Sequence, residues 1–129
     1  MSRTVALRIG WMGFATWIVP LAISFLFYGK DGQLQVPVGT FKSIMFVSGT
    51  GISIWMLILL FGNGSPAPNA GLITGIAWLA INIGLDLIVL VGMLGMAIGM
   101  YFSTVGLGYL AIPILTVGAA RLARGAKRA

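Results

Sequence analysis

Apolar residues in this chain gather in four long runs, each near the ~20 residues that cross the hydrocarbon core of a bilayer as a helix. They extend from about Arg8 to Tyr28, Phe41 to Phe61, Leu72 to Gly92 and Gly99 to Ala119. In lipid, only helices and closed barrels satisfy every backbone group, and strands this apolar would not close a barrel. The pattern predicts an all-α membrane protein: four transmembrane helices in an antiparallel bundle. It forms a single transmembrane domain, with a basic tail over residues 120–129.

Polar and turn-forming residues separate the runs. Gly29 to Thr40 is the longest polar stretch, with a turn at Asp31-Gly32 and Pro37 delaying the next helix. Gly62-Asn-Gly-Ser-Pro-Ala-Pro-Asn69 is an uncharged cluster of turn residues and a firm break. Met93 to Ile98 is apolar, so the last turn, near Gly92 and Gly95, is expected to be tight and to lie at headgroup level. Gly71-x-x-x-Gly75 and Gly95-x-x-x-Gly99 have the spacing that lets membrane helices approach closely.

Composition agrees with the pattern. The chain is 59% hydrophobic and 8% charged, where a soluble domain carries about 25% charged residues. The net charge of +6 comes from basic residues gathered mostly at the termini with no interleaved aromatic platform. That arrangement suits membrane-interface anchors and not nucleic acid. Arg3, Arg8, Arg121, Arg124, Lys127 and Arg128 lie on one side of the spans, and Lys30 and Lys42 on the other. Six against two places both termini in the cytoplasm of a multi-pass protein of the inner (plasma) membrane. The first run is too long for a signal-peptide core of ~7–15 residues and reads as a retained helix. With no cysteine and no histidine, disulfides, thiol chemistry, a Ser-His-Asp triad and His-ligated haem are excluded. No metal or cofactor is expected.

Candidate chemistry centres on Asp86, one of two acidic residues and the one placed at membrane depth. Trp78, Asn82 and Asp86 recur every four residues and share a helix face that Gly75 extends. Ser24, Ser48 and Thr104 fall at about the depth of Asp86, and Tyr109 at that of Asn82, which predicts an off-centre polar layer inside the bundle. Lys42 is the basic residue whose stem would reach toward the carboxyl group. Without that partner the acid would hold a proton, because an unpaired charge at this depth costs at least ~2.5–3.5 kcal/mol. The deeper rings, Trp17, Trp55, Trp78 and Tyr109, read as packing; Trp11, Tyr28 and Tyr101 read as interfacial anchors. Pro20 and Pro113, near the middle of the first and fourth helices, are expected to kink them. Met93, Met96 and Met100 read as flexible apolar packing.

Asn82, Leu85-Asp86-Leu87, Tyr101-Phe102, Gly106-Leu107-x-Tyr109-Leu110-x-Ile112-Pro113-Ile114, Thr116 and Gly118 carry a resemblance. Over residues 82–118 the chain resembles a family of small uncharacterised bacterial integral membrane proteins. The resemblance implies four membrane helices with a polar third helix, and no activity. It also implies an acidic residue before the Tyr-Phe pair, where this chain has Met100.

Three function classes follow. In the first, the protein is an accessory or structural membrane subunit working through helix packing, in the lipid bilayer, with copies of itself or another membrane protein. In the second, it is a small oligomeric proton-linked transporter or permeation protein using Asp86. The third, a membrane-embedded enzyme, lacks a recognisable nucleophile-base pair or metal cluster.

Overall fold

The computed structural model describes residues 2–128. Four segments are long and apolar enough to span a membrane: Arg3–Phe27, Val38–Phe61, Ala70–Met93 and Gly106–Ala126. Helix α1 (Arg3–Ser24) begins at Ser2, whose Oγ accepts the Val5 N–H, and closes in a 3₁₀ turn over Phe25–Phe27. Helix α2 (Val38–Phe61) starts directly after Pro37. Between them the chain doubles back: Tyr28 and Leu34 pair as an isolated antiparallel bridge around Gly32, whose positive φ of 75° completes the turn.

Helix α3 (Ala70–Asp86) does not stop at the acid. It widens there into a π-helix over Leu87–Met93, a rare form found mostly at functional sites. The Leu94 N–H still bonds to Val89 O at 3.0 Å, and Gly95 then turns the chain at φ 74°.

The fourth run departs from expectation. A continuous helix over about residues 99–119 is replaced by a short α4 (Ile98–Thr104), a break at Val105, and a final span. That span is a 3₁₀ segment (Gly106–Leu110) leading into α5 (Ala111–Ala126). Val105 leaves helical geometry at φ −120°, ψ −54°. Gly106 allows the tight return: a Cβ there would lie 2.8 Å from Phe102 Cδ1. Pro113 is thereby the third residue of α5, in the first turn, where a missing N–H is tolerated. It is not a mid-helix kink. Pro20 does lie inside α1. The basic tail is also corrected, because Arg121 and Arg124 belong to α5, whose Ala- and Arg-rich end favours helix.

The spans form a ring in which α1 packs on α2 and α3, α3 most extensively on α5, and α5 closes more loosely on α2. Along the α3/α5 contact, Gly71 and Gly75 let the backbones meet. A Cβ on Gly71 would lie 2.7 Å from Thr116 O, and one on Gly75 would strike Thr116 Oγ1 and lie 2.7 Å from the Pro113 Cα. Gly95-x-x-x-Gly99 plays no such part, since neither glycine has a neighbour there. Gly13 makes the equivalent opening in α1, with the Trp78 ring where a Cβ would be. Trp78, Tyr101 and Met12 are among the most buried hydrophobic side chains, while Phe46, Trp55 and Ile58 of α2 face outward.

Candidate functional site

The parallel course of α1 and α3 sets up a ladder of polar contacts between them. Trp78 Nε1–H donates to the Ile9 carbonyl at 2.9 Å, in the space Gly13 leaves. One turn on, Asn82 Nδ2 donates to Thr16 Oγ1 (3.0 Å) and to Trp78 O (2.9 Å), while the Thr16 hydroxyl donates to Gly13 O (2.6 Å). One further turn on, Trp17 Nε1–H donates to Asp86 Oδ1 at 2.7 Å. The four-residue spacing of Trp78, Asn82 and Asp86 gives this ladder its rungs. Gly75, expected on the same face, turns instead to α5.

The other oxygen of Asp86 faces the refolded end of the chain. Tyr109 OH is 2.7 Å and Tyr101 OH 3.1 Å from Oδ2. Tyr101 is fully buried and Asp86 6% exposed, while Tyr109 is half-buried. One carboxyl group thus joins α1, α3, α4 and the 3₁₀ start of the last span. The break at Val105 is what makes this convergence, because a straight helix from residue 99 would carry Tyr101 and Tyr109 about 12 Å apart along one axis.

Indole nitrogen only donates, so Trp17 fixes Oδ1 as an acceptor. At Oδ2 an ionised carboxylate accepts from both phenols; a protonated one donates to one phenol and accepts from the other. Both states satisfy all three partners, which is what lets an acid remain in an apolar bundle.

The remaining expected site residues lie elsewhere. Lys42 is exposed near the start of α2, a helix that packs on α1 and α5, and the partners of Asp86 are aromatic. Ser48, on the same helix, is half-buried and outside the cluster. The Ser24 and Thr104 hydroxyls donate to carbonyls of their own helices, at Leu21 and Met100. Depth along a helix groups these residues; the direction each helix presents separates Ser24 and Ser48, and the break at Val105 takes Thr104 off the last span. Asn82 is buried at the depth expected but bonds to Thr16, not to the acid.

The sequence pattern does not place Trp17 and Tyr101 at the site. An aromatic ring in an apolar run reads as packing or as an interfacial anchor, and its single polar atom leaves no pattern. Depth would have found Trp17: counted from Arg3 and Ala70, where the spans begin, it lies nearly level with Asp86. Tyr101 needs the break at Val105 to be known first.

Fold and site together define a membrane-spanning helical bundle knotted around one buried acid. No family profile, curated protein or solved structure matches the chain.

Proposed function

We propose that the protein is an accessory, structural subunit of a membrane assembly, without enzymatic activity of its own. It resides in the inner (plasma) membrane with both termini cytoplasmic. The observation that carries this reading is the fully partnered Asp86, held by an indole and two phenols and enclosed among helices. An acid that carries substrate or ions needs a polar cavity beside it. This one spends both oxygens on tying α1, α3, α4 and the last span together. Neither of the two clefts described at the surface touches it. The outward apolar face of α2, with Phe46, Trp55 and Ile58, is available to lipid, to a second copy or to a membrane partner.

One observation favours a second reading, a small oligomeric proton-linked transporter or permeation protein. Tyr109 is half-buried and its hydroxyl bonds directly to Oδ2, so a single phenol links the acid toward the outside of the bundle. Asp86→Asn separates the two. Under the structural reading the variant loses thermal stability and assembly in detergent, and wild-type proteoliposomes show no pH-driven flux for it to abolish. An intact assembly together with loss of a pH-dependent flux would overturn the structural reading.

A further inference from the structure

The bundle has a second place where polar groups are unspent, at the end opposite Asp86. Because α1 and α3 run parallel, their N-termini lie side by side, and a cleft of about 400 Å³ opens there, bounded also by the end of α2 and the loop before α3. Ser2, Arg8, Asn69 and Thr74 line it, with Ile9 and Phe61 among its apolar walls.

Three features of this cleft ask for an anion. First, α3 enters it uncapped: Asn69 makes no side-chain capping bond and the first turn holds no acid. The amides of Ala70 and Ile73 find Ala67 O and Asn69 O, while Gly71 and Leu72 between them contribute to the unneutralised positive end of the helix. Second, Thr74 is fully buried, and its Oγ1 is the buried side-chain polar atom that lacks a hydrogen-bond partner among the described residues. A native hydroxyl in that state calls for a group that has not been accounted for. Third, the balance of charge is one-sided. Arg3, Arg8, Arg121, Arg124, Lys127 and Arg128 gather at this end, and both acids, Asp31 and Asp86, lie toward the other. Arg8 is exposed; one nitrogen donates to Leu59 O at 3.1 Å, which steadies the guanidinium and leaves its other N–H groups open. Lys127 Nζ donates to Asn63 O at 3.3 Å, tying the loop after α2 to the end of α5 beside the cleft.

We infer that this cleft binds the phosphate of an anionic phospholipid, with Arg8 and the α3 N-terminus taking the phosphate oxygens and Thr74 donating from the floor. The apolar walls take the glycerol and the first methylenes of a chain that continues into the bilayer. Helix N-termini bind phosphate through oriented amides, and a guanidinium matches its oxygens with paired donors. The volume falls at the low end of small-ligand pockets, about 300–1,000 Å³, enough for a headgroup and not for whole chains. The site is separate from the Asp86 cluster, so it stands whichever reading of that cluster holds.

The test is thermal melting of the purified, delipidated protein in neutral detergent. It is titrated with short-chain phosphatidylglycerol, with phosphatidylcholine of the same chains, and with inorganic phosphate. Phosphatidylglycerol is expected to raise the midpoint saturably. Phosphatidylcholine has the same phosphodiester, but its quaternary ammonium is repelled by the cations gathered at this end, so it should bind far more weakly. Inorganic phosphate, with no chain for the apolar walls, should give no saturable shift. Arg8→Gln should weaken that binding about tenfold, the loss of one charge-assisted contact. Thr74→Val should weaken it several-fold while raising the lipid-free midpoint. Lys30→Gln, exposed at the opposite end of the bundle, should bind as the wild type does. Equal binding of phosphatidylcholine, an equal response to phosphate alone, or an equal loss in Lys30→Gln would each overturn the inference. Should Arg8→Gln fail to fold, Thr74→Val decides: wild-type affinity in that variant would overturn it as well.

Discussion

At the scale of single residues, the protein's economy rests on Asp86. Hydrogen bonds between membrane helices average only ~0.6 kcal/mol where measured, because the separated helices also find partners. Asp86 holds three together. Asp86→Ala, which strands an indole N–H and two phenols, should therefore cost about 2 kcal/mol of bundle stability. Trp17→Phe and Tyr101→Phe should each cost under about 1 kcal/mol. Unfolding in mixed micelles measures all three, and equal costs would show that the carboxyl is not the hub. Thr74 supplies the opposite sign. Its hydroxyl is buried without a partner, a state costing roughly 1–3 kcal/mol, so Thr74→Val should stabilise the lipid-free protein by about 1 kcal/mol. A lower melting midpoint would show that the hydroxyl has a partner after all.

At the scale of elements, glycine positions decide which helices touch. A Cβ on Gly75 would meet Thr116 Oγ1 and the Pro113 backbone, neither a flexible end. Gly75→Ala should cost about 1–3 kcal/mol, the usual cost of overpacking. Gly99, in α4, has open space around it, so Gly99→Ala should be neutral or gain up to about 1 kcal/mol from helix propensity. Comparing the two in one unfolding assay checks whether the α3/α5 contact is as close as the structure has it; equal effects would sink that view. The same elements show what a sequence can and cannot disclose. Lipid demands a continuous apolar helix, so the first three spans announce themselves, and the spacing of Gly71 and Gly75 marks a close contact in advance. The turn near Gly95 is marked in advance, but residues 98–105 do not announce the break at Val105, because Ile, Met, Phe and Val satisfy a helix, a turn and a lipid-facing surface alike. Rotation is hidden too: Ser24, Ser48 and Thr104 share a depth with Asp86, yet no pattern in runs this uniformly apolar says which way they face. The widening after Asp86 likewise has no residue signature in Leu87–Met93.

At the scale of the whole molecule, the four spans and the asymmetry of charge combine into one geometric claim. An even number of crossings returns both termini to the same side. There the chain places Arg3, Arg8, Arg121, Arg124, Lys127 and Arg128, against Lys30 and Lys42 opposite. Arg121 and Arg124 belong to the last turns of α5, close enough to the span to count in setting orientation. Retaining six cations on the cytoplasmic face is favoured over translocating them against the membrane potential, which costs about 2.3 kcal/mol per charge at 100 mV. The chain contains no cysteine, so a single introduced thiol reports its own location without background. Gln33→Cys, exposed in the first loop, should react with a membrane-impermeant maleimide added to intact cells. Ser65→Cys, exposed in the second loop, should react only after the membrane is opened. The reverse pattern would invert the topology, and reaction of both in intact cells would mean that the segment between them, α2, does not make its single crossing of the bilayer. Either result would also move the phosphate cleft, which lies on the side of Ser65, away from the cytoplasmic leaflet where anionic lipids draw basic segments to the surface.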